Sequence, residues 1–240
     1  MLKTIQNPEK MNQDELLIKR FCKEYKLKLK RIDSYTWEQP GYVVNSEGRI
    51  EILNLFDLKI TNIPEYITEL SELKILNLVG NELTSIKEIG NLTKLETLVI
   101  QANEITDISI MEKLIALKEF HALINPITDI TPLEHLENLE TLAINAGEGI
   151  NLDTINLPNL VDVALSDVSQ STNISFLRNC KKIKSLYIRG NYGKKNLSID
   201  FFENIQHLEL FSLIISGMSQ LNVEKLKLFQ KLKSIKDLRL

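Results

Sequence analysis

The chain contains few residues whose types and spacing would support catalysis. Its 240 residues include three histidines, two cysteines and one tryptophan. His121 lies two residues after Glu119, which places both side chains on one face of a strand, about 6–7 Å apart. A catalytic histidine needs a nucleophile or a carboxylate within hydrogen-bonding reach, and no recognised constellation surrounds His121. We therefore predict that His121 is a surface residue and that the chain has no catalytic residue.

The histidines and cysteines also fail to indicate a metal or cofactor site. Cys22, Cys180, His135 and His207 do not follow the short spacings of zinc ligands. The glycine-containing stretches NAGEG and RGNYGKK are predicted loops between repeats, and neither matches a phosphate-binding fingerprint, which needs a strand before it and a helix after it. The sequence predicts no metal and no cofactor.

Charge and hydropathy indicate which kinds of partner and which cellular location to expect. The net charge of −3 predicts no general affinity for nucleic acid or for a membrane surface. Residues 50–218 carry 13 basic and 23 acidic side chains, and this acidic body favours a basic partner. The N-terminus lacks a signal-peptide pattern, and no apolar run approaches the roughly 18 residues that span a bilayer. These features predict a cytoplasmic location.

A 22-residue repeat organises most of the sequence. Three consecutive copies are LKILNLVGNELTSIKEIGNLTK, LETLVIQANEITDISIMEKLIA and LKEFHALINPITDITPLEHLEN, which begin at Leu73, Leu95 and Leu117. Each copy has apolar residues at repeat positions 1, 4, 6, 11, 14 and 20, and asparagine at position 9. The sequence predicts eight repeats and an incomplete terminal strand, and the remaining starts are Ile50, Leu139, Leu160, Ile183, Ile205 and, for the terminal strand, Ile235.

This pattern, L-x-x-L-x-L-x-x-N-x-L, resembles the leucine-rich-repeat family, and its length is similar to the internalin-like and phosphatase-regulatory subclasses. The resemblance implies an α/β solenoid with a curved parallel sheet on the concave face and 3₁₀ or short helices on the convex face. We expect residues 1–49 to form an N-terminal cap of a helix and a short hairpin, and residues 50–240 to form the repeats. Apolar spacing over residues 13–29 predicts the helix, with Asp14 as its N-cap.

Asparagine at repeat position 9 is expected to form a structural ladder. Its amide can donate to and accept from buried backbone groups where the chain leaves each strand. Gly147 and Val168 interrupt this column, which predicts looser or bulged repeats around them. The predicted ladder comprises Asn81, Asn103, Asn125 and Asn191.

Strand residues at repeat positions 5 and 7 point out of the concave face and form the candidate binding surface. Tyrosine, arginine and exposed aromatic residues are favoured as interface anchors, and apolar residues on an open sheet face call for a partner. The alternative for part of this surface is that the N-terminal segment covers it. The candidate partner-binding residues are Asn54, Phe56, Asn77, Val79, Gln101, His121, Leu123, Asn145, Tyr187, Arg189, Glu209 and Phe211.

The sequence therefore favours a non-enzymatic module that binds another protein on its concave sheet. The resemblance implies scaffolding or recognition, including regulation of phosphatases, small GTPases or effector-type targets. A second hypothesis is a homodimer that pairs through an exposed C-terminal strand in residues 235–240. A third places a hydrolase or transferase site in residues 145–175, where the sequence shows no nucleophile–base pair.

Overall fold

One sheet runs through the whole described part of the chain. The structure, a computed structural model, describes residues 12–169, 171–191, 208–216 and 237–239. Within these ranges ten strands lie side by side in chain order. Strand β1 (Gly41–Val44) pairs antiparallel with β2 (Ile50–Asn54), and every later pairing is parallel. The later strands are β3 (Ile75–Asn77), β4 (Thr97–Val99), β5 (Glu119–His121), β6 (Thr141–Asn145), β7 (Asp162–Ser169), β8 (Ser185–Asn191), β9 (Leu210–Ser216) and β10 (Asp237–Arg239).

Short 3₁₀ helices return the chain from one strand to the next on the convex side. Each such turn closes with i to i+3 hydrogen bonds, which suit a return segment too short for an α-helix. Pro64 precedes the first of them and Pro132 lies in the first turn of another, where no ladder hydrogen bond is needed. The 3₁₀ helices span Glu65–Glu69, Lys87–Asn91, Ser109–Lys113, Thr131–His135, Leu152–Thr154 and Ser175–Asn179.

The core is one continuous stack of apolar side chains between the sheet and the 3₁₀ helices. Repeat positions 4 and 6 point into it, as Leu76 and Leu78 do with no exposed surface. The same cluster extends from Phe21 in the N-terminal helix to Leu213 in β9. Because each repeat buries its leucines against its neighbours, the repeats stabilise one another rather than folding singly.

Helix α1 (Gln13–Glu24) covers the first repeat, and its N-cap differs from the prediction. Asn12 is the N-cap, and its side chain accepts a hydrogen bond from the Glu15 N–H at 2.9 Å. Asp14 instead lies buried inside the helix, where Oδ2 accepts from the Ile50 N–H at 2.8 Å and from Arg49 Nε at 3.0 Å. The assignment of Asp14 as N-cap is wrong because its carboxylate anchors the helix to the start of β2.

The asparagines at repeat position 9 are buried and bridge adjacent repeats. Asn103 Nδ2 donates to the Leu78 and Ile100 carbonyls at 2.9 Å each, and its Oδ1 accepts from the Leu83 N–H at 3.0 Å. Asn81 and Asn125 make equivalent bonds one repeat before and one repeat after. These amides satisfy backbone groups that would otherwise be buried without partners.

Asn191 does not occupy the same place as the other predicted ladder residues, because it lies within a strand and is exposed rather than buried. Strand β8 continues to Asn191, which pairs with Ser216 and is exposed. The buried ladder site forms where the chain leaves a strand after about three residues. Strand β8 instead continues for seven residues, to Asn191. Strand β7 is lengthened too, with a bulge between Leu165 and Val168, so the irregularity predicted around Val168 takes the form of longer strands.

The last described repeat begins three residues later than predicted. Strands β8 and β9 pair Leu186 with Phe211 and Ile188 with Leu213, which places the repeat start at Leu208 rather than Ile205. Phe211 and Leu213 therefore point into the core, with 0% and 3% exposure. Strand β10 pairs parallel with β9. The segment LNVEKLKLFQKL, residues 221–232, is long enough to predict a helix, and it lies outside the described residues.

A row of charges with alternating sign follows repeat position 2. In consecutive repeats the residues are Glu51, Lys74, Glu96, Lys118 and Glu140. Lys74 Nζ lies 3.3 Å from a Glu51 carboxylate oxygen, and Lys118 Nζ lies 2.6 Å from one of Glu96. The hydrogen bond to Glu96 raises the pKa of Lys118. These partly exposed pairs each contribute only about 0–1 kcal/mol.

Candidate interaction surface

The N-terminal half of the concave face is covered by the chain's own residues 35–39. Asn54 Nδ2 donates to the carbonyls of Thr36 at 2.7 Å, Gln39 at 2.9 Å and Trp37 at 3.2 Å. Asn77 Nδ2 donates to the Trp37 carbonyl at 2.9 Å. Two neighbouring strands thus hold this segment, the cover segment, by its backbone rather than by its side chains.

Backbone N–H groups of the sheet orient the side chains of Asn54 and Asn77. Asn54 Oδ1 accepts from the Phe56 N–H and Asn77 Oδ1 from the Val79 N–H, both at 3.0 Å. Each amide therefore points its NH₂ group away from the sheet, and both side chains have no exposed surface. The prediction that Asn54 and Asn77 contact a partner is wrong, because the cover segment already uses their donors.

Within the cover segment, Trp37 makes the contact that lies furthest along the sheet. Its ring lies 5.3 Å from the His121 ring, edge to face, and 5.9 Å from the Tyr35 ring. Val99 stands between Asn77 and His121 in the same row and has no exposed surface, although it points outward. Burial raises the pKa of Tyr35 to about 12. The ring of Trp37 remains 44% exposed, so it forms the edge of the covered half.

His121 lies at this edge. Its side chain is only 18% exposed, and its Nε2 is 3.9 Å from a Glu119 carboxylate oxygen. Burial lowers the pKa of His121 below its ordinary value of 6.5. The surface position predicted from the repeat is therefore partly closed by Trp37, and the neutral imidazole is the favoured form.

This lowered pKa predicts an acid sensitivity. The folded state binds the His121 proton less readily than the unfolded state, so stability is full above about pH 6.5 and falls as the pH drops toward the folded-state pKa. One pKa unit corresponds to about 1.4 kcal/mol. We expect the free energy of unfolding of the wild type to fall between pH 7.5 and 5.5 relative to that of His121→Gln, measured by urea titration. A relative gain on acidification would show instead that the ion pair with Glu119 dominates.

The second half of the concave face, the open half, carries no part of the cover segment but is exposed only in part, since Ala143 and Ser212 are 4% and 7% exposed. In the row at repeat position 5, His121 is followed by Ala143, Ala164 and Tyr187 on strands β6, β7 and β8. Arg189 is exposed at the end of the same face. Leu210 and Ile214 on β9 are 44% and 49% exposed, which is unusual for large apolar residues on a sheet.

The other predicted contact residues divide between the two halves. Phe56, Val79, Gln101 and Leu123 are half-buried along repeat position 7. Asn145 is engaged within the protein, since its Oδ1 accepts from the Ile124 N–H at 2.7 Å and its Nδ2 donates to the Asp167 carboxylate.

Glu209 and Phe211 were also predicted as contact residues. Both predictions are wrong, because this repeat starts three residues later than predicted. Phe211 is a core residue, and Glu209 precedes the strand, where its N–H donates to the Lys184 carbonyl at 2.7 Å. The outward residues of this strand are Leu210, Ser212 and Ile214, and sequence reasoning missed the two apolar ones. A start at Leu208 would have revealed them, because Phe211 and Leu213 then take repeat positions 4 and 6.

Comparison with known proteins agrees with this architecture. A family model for leucine-rich repeats in two copies matches residues 71–113. Internalin C2 of Listeria monocytogenes is 24% identical with a TM-score of 0.64, covering 79% of this chain and 80% of that one. A leucine-rich-repeat protein of Leptospira interrogans is 24% identical with a TM-score of 0.56, covering 79% and 60%. No curated protein matches the chain at the threshold applied.

A third similar structure is a plant peptide hormone receptor solved in complex with RGF2. It is 20% identical with a TM-score of 0.54, and the match covers 79% of this chain and 32% of the receptor. Together, the repeat pattern, the ten-strand sheet with its 3₁₀ helices and the matching repeat model define the class. The described part of the chain has the leucine-rich-repeat solenoid fold, and residues 71–113 match the family model.

The described residues contain no group of three histidine, cysteine or carboxylate side chains placed to hold a metal ion. Among them, no helix has the length and apolar character needed to cross a membrane.

Proposed function

We propose that the protein is a non-enzymatic interaction module that binds a partner protein on the open half of its concave sheet, over strands β6 to β9. The observation that carries the proposal is the contrast between the two halves. The first half is filled by the cover segment, whereas the second presents Arg189, Leu210 and Ile214 to solvent beside the half-buried Tyr187. Tyrosine and arginine beside exposed apolar side chains are the composition of an interface centre.

Two further observations support a protein or peptide as the ligand. The cover segment, which turns at Trp37 and Glu38, is a peptide backbone whose carbonyls accept hydrogen bonds from side-chain amides of this sheet. The similar plant peptide hormone receptor was solved in complex with RGF2, and this likeness of fold supports a peptide or protein as the ligand.

Site-specific photo-cross-linking tests the proposal. A photoreactive amino acid at Ser166, on the open half, is expected to capture a partner from native extract, whereas the same group at Glu134 in a convex 3₁₀ helix is not. The double variant Tyr187→Ala/Arg189→Ala should reduce capture at Ser166 about tenfold and remain folded, because neither residue is in the core.

Equal capture from both positions, or full capture by the double variant, would contradict the concave assignment. Light scattering of the full chain and of a variant lacking residues 235–240 tests the alternative of a homodimer paired through the C-terminal strand. A dimer that is lost only in the truncated variant would favour that alternative.

A further inference from the structure

The cover segment belongs to a loop whose two ends are joined to each other. The Ile32 N–H donates to the Tyr42 carbonyl at 2.9 Å, and the Tyr42 N–H donates to the Lys30 carbonyl at 3.0 Å. At Gly41 the two ends approach so closely that a Cβ would lie 2.7 Å from the Lys30 carbonyl oxygen. Residues 33–41, the cover loop, thus leave the fold and return to it at one place, which is the geometry of an Ω-loop.

The body of the cover loop is held by its backbone, which leaves its side chains free. Asn54 and Asn77 bind it through the carbonyls of the cover segment. The side chains of Thr36, Glu38 and Gln39 are exposed, and they form no hydrogen bond or ion pair in the part of the chain that the structure describes. The loop therefore displays these side chains on a backbone that is already fixed.

Trp37 is the largest side chain that the cover loop displays. Its ring is positioned by the rings of Tyr35 and His121, at 5.9 Å and 5.3 Å, yet 44% of the residue is exposed. An indole offers a large apolar surface and one N–H donor, and tryptophan is enriched among the residues that dominate binding energy at protein interfaces. Because the backbone and the ring are held before any partner arrives, binding costs little conformational entropy.

The surroundings of Trp37 are acidic. Residues 33–41 include Asp33 and Glu38 and no basic residue, so the cover loop has a net charge of −2. Both carboxylates are exposed. Glu119, on the strand beneath Trp37, has a side chain that is 45% exposed. An apolar side chain surrounded by carboxylates is complementary to an apolar pocket with basic residues at its rim.

The basic groups around the cover loop do not offset this charge at Trp37. Arg31 bridges to β1 at the joined ends of the loop, whereas the Trp37 ring packs on His121 in β5. Neighbouring strands are about 4.8 Å apart, so four strand spacings, about 19 Å, separate these two places. The Debye length at physiological salt is about 8 Å, so Arg31 is screened from Trp37. Lys118, on the edge of β5, is paired with Glu96 at 2.6 Å.

We infer that Trp37 is the anchor of the partner interface and that its indole enters an apolar pocket of the partner protein, bordered by lysine or arginine side chains. Trp37 lies at the boundary of the open half, so one partner can contact the cover loop and strands β6 to β9 together. The acidic body of the chain, residues 50–218, favours the same class of partner. This inference rests on the proposed function and specifies the pocket that the partner presents.

A second cross-linking position tests the inference beside Ser166. A photoreactive amino acid at Gln39, next to the anchor in the cover loop, should capture the same protein from native extract as the one at Ser166. The captured protein, once purified, is then added to the full chain labelled with 5-fluorotryptophan. Because Trp37 is the one tryptophan of the chain, the label gives a single ¹⁹F resonance. This resonance should shift in the complex and lose its sensitivity to exchange of H₂O for D₂O, since the indole is then buried.

Two variants of the cover loop measure the contribution of the anchor and of its acidic surroundings. Trp37→Ala should reduce capture at Gln39 and at Ser166 about tenfold. Glu38→Lys should reduce capture at both positions about threefold, through repulsion of the basic rim. The Glu38 side chain makes no polar contact within the described residues, so this second variant keeps the fold even if the first disturbs the packing on His121.

Each variant has a matched control elsewhere on the surface. Ile115→Ala removes an apolar side chain that is 60% exposed in the turn after a 3₁₀ helix. Glu134→Lys reverses an exposed charge in a convex 3₁₀ helix. Both should leave capture unchanged.

The outcomes separate the inference from the proposed function. Capture at Ser166 without capture at Gln39, full capture by Trp37→Ala, equal losses in the controls or an unchanged ¹⁹F resonance would each overturn the anchor and leave the open half standing. Trp37-dependent capture at Gln39 with none at Ser166 would support the anchor and contradict the open half. No capture at either position would contradict both.

Discussion

Replacing Gly190 with alanine is expected to destabilise the protein by about 3 kcal/mol or more. A Cβ at this position would lie 1.8 Å from the Val168 carbonyl oxygen and 2.6 Å from its carbon. These atoms belong to the backbone of β7, next to its bulge, so no side-chain rotation can relieve the overlap. Strands β7 and β8 would have to separate, which costs pairing as well as packing.

Gly147→Ala is the matched control for this prediction. A Cβ there would meet Asp167 at 3.7 Å and 3.8 Å, which is ordinary contact. Alanine also reduces the entropy of the unfolded chain, so the control should be neutral or slightly more stable. Urea unfolding followed by circular dichroism measures both variants. Identical midpoints for the two would show that β7 and β8 do not approach as closely as described.

Replacing Asn103 with leucine is expected to cost about 3 kcal/mol. The substitution leaves the Leu83 N–H without its acceptor and removes a donor from the Leu78 and Ile100 carbonyls. Each buried group left unpaired costs about 1–3 kcal/mol, and the larger apolar side chain cannot offset that loss in a site shaped for an amide.

The exposed Asn156 provides the control, because Asn156→Leu removes no buried hydrogen bond. Its effect should stay within about 0.5 kcal/mol. Thermal and urea unfolding of both variants at pH 7.5 gives the comparison. If Asn103→Leu unfolds at the wild-type midpoint, the hydrogen bonds of the ladder contribute nothing to stability.

The repeat pattern predicted the architecture because each repeat satisfies the same local demands. Apolar residues at positions 4 and 6 must face the core, and this periodicity fixes the register wherever one alignment alone fits. Near the C-terminal end two alignments fit. Ile205, Leu208 and Leu210 match positions 1, 4 and 6 as well as Leu208, Phe211 and Leu213 do. The regular 22-residue spacing favours the first, and the structure adopts the second.

The cover segment was foreseen only as an alternative, because a contact between distant parts of the chain has no periodic signature. Trp37 meets Asn77 40 residues away, through a carbonyl that any residue could supply. The sequence signal for this contact lay in the strand residues that bind the cover segment. Asn54 and Asn77 are adjacent amides on an outward face, and two aligned amides there indicate a bound backbone.

The alternating charges at repeat position 2 constrain how the number of repeats can change during evolution. Loss of one repeat, such as residues 95–116, would bring Lys74 beside Lys118, and like charges in adjacent strands are destabilising by up to about 1 kcal/mol. Loss of two repeats, residues 73–116, would instead bring Glu51 beside Lys118 and restore an attractive pair. In this part of the solenoid, repeats are therefore most easily gained or lost in pairs.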